Sequence, residues 1–146
     1  MFCSLALYME PCPVEAEEGT TEVSTVCIGI APQDQVNWWY TSPSKGSNPI
    51  SMGTCYPSQE PCVLKVGRFF NITRPRKDMS VLTIKNVKRD HHAGATLTCK
   101  TYDLSRLADS TSCRMKVICK LKLEICTTMM CSSHQGNLER IIIQLF

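Results

Sequence analysis

The amino-acid sequence predicts an all-β, two-layer antiparallel sandwich with Greek-key topology and a C-terminal tail, and three observations carry that expectation. Cys27 and Cys99 are widely separated, with the pair Trp38-Trp39 between them and nearer the first. Short segments of alternating polarity recur between clusters of Pro, Gly, Ser and Asn, at the spacing of a many-stranded sandwich. Before the tail there is no long helical period.

In chain order, Thr21 to Gly29 alternates, so Val23, Thr25 and Cys27 share one face of a strand. Val36 to Tyr40 follows with Val36, Trp38 and Tyr40 on one face, which places Trp38 in the core and turns Trp39 outward or towards a partner. Thr41 to Asn48 is a turn-rich loop, and Ile50 to Cys55 reads as an edge strand. Cys55 and Cys62 enclose Tyr-Pro-Ser-Gln-Glu-Pro, a short loop suited to a local disulfide at a hairpin tip. Val66 to Ile72 and Ser80 to Val87 are the next strands, with Leu82, Ile84 and Val87 inward. Gly94 to Tyr102 and Ser112 to Lys120 complete the set and leave Asp103 to Thr111 as a loop.

Composition points to an extracellular setting, either secreted or as the ectodomain of a membrane protein. Ten of 146 residues are cysteine, far above the usage of a reduced cytosolic domain. A hydrophobic fraction of 43% suffices for one packed core. The expected organisation is one domain over 8–119, with 120–146 as a tail or the truncated start of a following domain. All 16 basic residues lie from Lys45 onward, whereas Glu10, Glu15, Glu17, Glu18, Glu22 and Asp34 precede it. That asymmetry allows an acidic edge and a basic face able to steer an acidic partner, although mixed charge more often just keeps a surface solvated. Met1 to Met9 is apolar but short, lacks a basic start and runs into Glu10-Pro11, so it is at best a damaged signal peptide. The apolar stretch Ile141 to Phe146 is far too brief to span a bilayer. On this reading the chain does not insert into a membrane: it is secreted, or it is a fragment of a longer protein whose signal and anchor lie elsewhere.

The order Cys27, Trp38, Arg68-Phe69, Leu82-x-Ile84-x-x-Val87, Cys99 resembles a variable-type or intermediate-type immunoglobulin domain over roughly residues 8 to 119. The resemblance implies that Cys27 bridges to Cys99 across the two sheets, with the core tryptophan covering the sulfurs. In that family the second cysteine follows Asp-x-Gly-x-Tyr-x. This chain has Ala93, Ala95 and Leu97 at those offsets and a longer run after Val87, so the tyrosine hydrogen bond is missing and Asp90 is left to reach Arg68 from a longer turn. It therefore stands apart from the conventional vertebrate antigen-receptor set. Gly53-Thr-Cys55, Pro61-Cys62, His91-His92-Ala93-Gly94 and Ser112-Cys113-Arg-Met-Lys-Val117 are similar to divergent immunoglobulin domains of invertebrate immune-type receptors and secreted lectin-associated proteins. Such domains often carry extra cysteines near the first and last strands. If those strands run parallel, Cys12 faces Cys113 and closes the sandwich edge. Of the three bridges the one between Cys27 and Cys99 is expected to stabilise most, on the order of 4 kcal/mol in the chain-entropy model. Cys3, Cys119, Cys126 and Cys131 remain unassigned.

Motifs for chemistry are scarce. His91 and His92 adjoin Asp90, but neighbouring side chains on a turn diverge and no nucleophile is implied nearby, so they read as turn residues. No phosphate loop, H-E-x-x-H or G-x-S-x-G occurs. Cys126-x4-Cys131-x2-His134 lacks a fourth ligand, which favours disulfides or free thiols over a metal. The pattern Gln135, Leu138, Ile141, Ile142, Leu145 permits a short amphipathic helix. The chain is thus expected to be no enzyme and to hold no cofactor or metal. Asn71-Ile72-Thr73 is an N-glycosylation acceptor. Arg74, Arg76 and Lys77, with Lys85, Lys88 and Arg89, form either a solvated face or a site for sulfated or sialylated glycans. Nucleic acid would need aromatic stacking beside these cations, and Phe69 and Phe70 are expected in the core. The function that follows is recognition or adhesion at a cell surface, of a protein or glycan ligand or of a second copy of the chain. The contacts expected from the resemblance are Pro32 to Gln35, Tyr56 to Pro61, Asp103 to Thr111 and Trp39. A secreted glycan-binding or pathogen-binding factor and a structural spacer are the alternatives.

Overall fold

The computed structural model describes residues 6–44, 46–57, 59–65 and 69–119. Alternating polarity yields strands in chain order: β1 (Tyr8–Glu10), β2 (Val14–Glu17), β3 (Glu22–Ile28), β4 (Gln35–Thr41), β5 (Ile50–Tyr56), β6 (Gln59–Leu64), β7 (Phe70–Arg76) and β8 (Met79–Lys85). A single helical turn, α1 (Arg89–His92), precedes β9 (Thr96–Asp103) and β10 (Arg106–Ile118). The strands form two layers, a four-stranded sheet β1-β3-β8-β7 and a six-stranded sheet β2-β10-β9-β4-β5-β6. Every pairing is antiparallel except β2 with β10, which runs parallel with Val14 opposite Met115. The first part of the chain therefore serves both sheets. Pro11 and Pro13, unable to donate to a ladder, occupy the crossing between β1 and β2.

The core is built by the inward parity of each strand. Trp38, Leu82, Ile84, Leu97, Met115, Val14 and Val36 are fully buried. The indole Nε1 of Trp38 on β4 donates to Ser80 Oγ on β8 at 3.0 Å, and that hydroxyl donates to Thr73 O at 2.9 Å. One chain of two hydrogen bonds thus joins the sheets and satisfies the one polar atom of the largest core side chain. Cys27 and Cys99 are joined across the layers with Cα atoms 6.5 Å apart. Cys12 is joined to Cys113 where β2 meets β10, and Cys55 to Cys62 across the β5–β6 hairpin.

Several elements differ from the expectation. The strand placed at Val66 to Ile72 lies later, at Phe70–Arg76, and β6 was not foreseen. The stapled hairpin β5–β6 adds a sheet edge and pushes β7 along the chain; Gly53 permits it, since a Cβ there would lie 2.7 Å from Val63 O. The anticipated loop from Asp103 to Thr111 is mostly ladder: β9 and β10 pair out to Asp103 opposite Arg106, and the turn is only Leu104-Ser105. His91 and His92 lie in α1 instead of an open turn, and His92 is buried. Leu7 and Met9 are core residues, so the apolar character of this part of the Met1 to Met9 stretch is that of packing positions. Leu97, standing where the family has its tyrosine, is fully buried. Arg68 and its expected contact with Asp90, Cys3, Cys126, Cys131, His134, the amphipathic pattern and residues 120–146 lie outside the described residues.

Candidate recognition surfaces

Three regions gather the residues singled out above. The first is the outer face of the six-stranded sheet, where Asn37 and Trp39 on β4 stand opposite Lys100 and Thr98 on β9. Thr98 in turn faces Ser112 on β10 with their hydroxyls 2.9 Å apart, making the centre of this face polar. Trp39 and, two pairs further along the ladder, Tyr102 are the large aromatics of the face among the described residues. Lys100 Nζ lies 5.3 Å from the Trp39 ring centroid, a cation–π contact that restrains the indole. The Trp39 Nε1 is buried and has no hydrogen-bond partner among the described residues. The outward expectation for Trp39 thus describes a half-buried ring.

The second region is the end of that sheet where Tyr56, the turn before β4 and the β9–β10 hairpin converge. Tyr56 follows Cys55, the partner of Val36, while Gln35 pairs with Tyr102. Beyond them Leu104 is 92% exposed and Leu107 57% exposed. Leu104 and Ser105 both have left-handed backbones, with φ of 46° and 67°. A two-residue hairpin connection of this hand normally takes Asn-Gly or Asp-Gly, because Cβ crowding penalises other residues. A bulky leucine there combines an unfavourable backbone with an unburied apolar side chain. The expected contact segment Asp103 to Thr111 contains Leu104 and Leu107, but neither is singled out by the sequence because the segment reads as loop; the apolar residues in Asp-Leu-Ser-Arg-Leu are the available signal.

Behind this end, Arg74 is buried and does not belong to the anticipated basic face. Its guanidinium donates to Asp34 O at 2.6 Å and to Lys77 O at 2.6 Å, tying the turn before β4 to the β7–β8 turn. Burial favours its neutral form and Asp34 opposes that shift. Burial also raises the pKa of the Asp34 carboxyl, Asp103 adds to the rise, and Arg74 counters it. The remaining cations do not gather. Arg76 and Lys77 sit at one end of β8, with Arg76 paired to Asp78 at 3.2 Å, whereas Lys85 closes its other end and Lys88 and Arg89 follow it. A seven-residue strand separates the two groups by about 20 Å. The hairpin was expected to bring them together; its turn falls at Lys77-Asp78, so they occupy opposite ends. Asn71 is exposed on the outer face of the four-stranded sheet, beside Thr83.

The third region is a cleft of about 680 Å³ at the α1 end, between the two sheets. His92 lies on its wall with Nδ1 accepting from Lys88 N at 2.8 Å, and burial lowers its pKa. Among the described residues no group of three His, Cys, Asp or Glu side chains is placed to hold a metal ion. No helix among them is long and apolar enough to cross a membrane.

Known proteins repeat this architecture. The swine CD8 αα homodimer crystal structure superposes with a TM-score of 0.63 at 16% identity, covering 78% of this chain and 99% of that one. In all, 1848 chains of known structure match, a spread that shows the fold and not a shared role. No protein-family profile and no curated protein matches the sequence. The chain has an immunoglobulin-like β-sandwich fold, held among the described residues by three disulfides.

Proposed function

We propose that this chain is a non-catalytic recognition module of the cell exterior that engages a protein ligand with the hairpin end of its six-stranded sheet. Leu104 carries the reading: an exposed leucine held in a left-handed turn costs backbone energy without returning any burial, a combination typical of a position kept for contact. Leu107, Tyr56 and the adjoining outer face with Trp39 extend the surface, and apolar and aromatic anchors of this kind dominate binding energies. The rigid ties of Arg74 beneath it limit the ordering cost of binding. The swine CD8 αα structure is that of a homodimer, and a second copy of this chain is accordingly included among the ligands to be tried.

The test is a screen of the secreted full chain against surface-protein ectodomains and a glycan array, with Leu104→Asn as the diagnostic variant. Asparagine tolerates the left-handed turn, so Leu104→Asn should raise stability by about 1 kcal/mol while weakening ligand binding. A ligand bound equally well by Leu104→Asn, or binding only to glycans and abolished by salt, would refute the assignment. Glycan capture of the second kind would favour a humoral factor, and background signal throughout would favour a spacer. Asn71 is proposed as the glycosylation site, on the face that this reading leaves free; a mass shift lost in Asn71→Gln would establish it.

A further inference from the structure

The cleft at the α1 end opens the core to solvent, and its chemistry is not that of the hairpin end. Met52, Phe70 and Val87 line its interior and are buried, and no side chain of the described residues fills the space beside them. One wall is fixed: the Tyr40 ring lies 5.9 Å from that of Phe70, and its hydroxyl donates to the His91 carbonyl across the gap between β4 and α1. Partial burial raises the pKa of the Tyr40 phenol above its ordinary value. At the mouth Ile50 is 54% exposed and Phe69, expected in the core beside Phe70, is 50% exposed, so the largest apolar groups of the rim face the opening. A well-formed concave apolar surface with a few polar groups at its edge is the usual shape of a small-molecule site, and about 680 Å³ is within the size range of such sites.

Charge selects among such molecules. Lys88 and Asn86 stand exposed at the rim, and no carboxylate lines the cleft among the described residues. His92 contributes no charge inside because its Nδ1 is engaged and burial favours the neutral ring. We infer that the cleft binds a small amphipathic anion, its hydrocarbon body against Met52, Phe70 and Val87 and its anionic head at the Lys88 ammonium. The cleft lies at the other end of the sheet from the hairpin contact, so the two binding events are independent.

Titration of the full chain with decanoate, and with decan-1-ol as the uncharged counterpart, tests it by calorimetry and by the methyl resonances of Met52 and Val87. Both probes should bind saturably at one molecule per chain and shift those methyls. Lys88→Gln should weaken decanoate about tenfold, the order of one charge-assisted contact, and leave decan-1-ol unaffected. Ile50→Glu and, separately, Phe69→Glu change exposed positions, so the fold should persist, with unchanged melting curves, while both probes lose affinity. Unmoved Met52 and Val87 methyls, decanoate and decan-1-ol equally indifferent to Lys88→Gln, or undiminished binding in the two glutamate variants would each overturn the inference. Sedimentation that finds a dimer dissolved by Ile50→Glu would assign the cleft to a second copy of the chain instead.

Discussion

Replacing Cys12 and Cys113 together by alanine tests how the nested bridges divide the stabilisation. The outer bridge spans 101 residues and encloses the inner one, which spans 72. Considered alone, the chain-entropy model assigns them about 4.7 and about 4.4 kcal/mol, so the outer bridge and not Cys27–Cys99, as expected from the sequence, closes the costlier loop. With Cys27–Cys99 intact, however, the outer bridge closes only the chain outside the inner loop, the 15 residues from Cys12 to Cys27 and the 14 from Cys99 to Cys113. A loop of about 29 residues corresponds to about 3.6 kcal/mol. For a domain of this size that loss lowers Tm by roughly 15 °C. Guanidinium titration of the full chain and the double variant, each fitted with its own slope because the freed unfolded chain exposes more surface, measures it. A loss below about 2 kcal/mol would mean that the β2–β10 ladder and the bond from Leu7 N to Asp109 Oδ2 at 3.1 Å hold this edge without the bridge, and the entropic argument would fail. A loss above about 4.7 kcal/mol would exceed even the isolated-loop value and refute the nesting.

Three further outcomes follow from the packing. Ser80→Ala strands the Trp38 indole N–H and frees the Thr73 carbonyl, and should cost about 1–3 kcal/mol in denaturant titration; an unchanged midpoint would show that the inter-sheet bond contributes nothing. Gly53→Ala brings a methyl against the Val63 carbonyl and the Ile72 side chain and should cost about 1–3 kcal/mol, with loss of amide protection along β5 and β6; wild-type exchange there would contradict the close approach. Burial lowers the His92 pKa below the ordinary 6.5, so on acidification the unfolded chain gains this proton before the folded one. Stability should therefore fall as pH drops below about 6.5, and His92→Gln should flatten that part of a melting-temperature series; an equal fall in the variant would assign the effect elsewhere.

Period-two patterning set most strands, because a face buried against a second sheet demands alternation whatever the neighbouring strand is. Thr25 and Cys27, Val36 and Trp38, and Leu82 and Ile84 all stand inward as alternation requires. The pattern could not show that β10 runs on to Arg106, since Ala108, Asp109 and Ser110 on an exposed hairpin carry no apolar signal. It could not place β6 either, where two prolines around the Cys55–Cys62 staple mimic a loop.

Charge was the least legible property. Arg74, Arg76 and Lys77 are adjacent in sequence, yet Arg74 turns into the molecule to collect backbone carbonyls while Arg76 stays at the surface with Asp78. Leu104 reads as an ordinary loop residue until its backbone hand and exposure are known together. By itself the sequence determined a cysteine-rich two-layer β-sandwich with Trp38 in its core, because burial and alternation are local demands written into residue order. Which side chains share a surface was decided only by the tertiary structure: strand register and turn position set the three-dimensional neighbours, and these bring Tyr56 towards Leu104 and leave a cleft beside Met52.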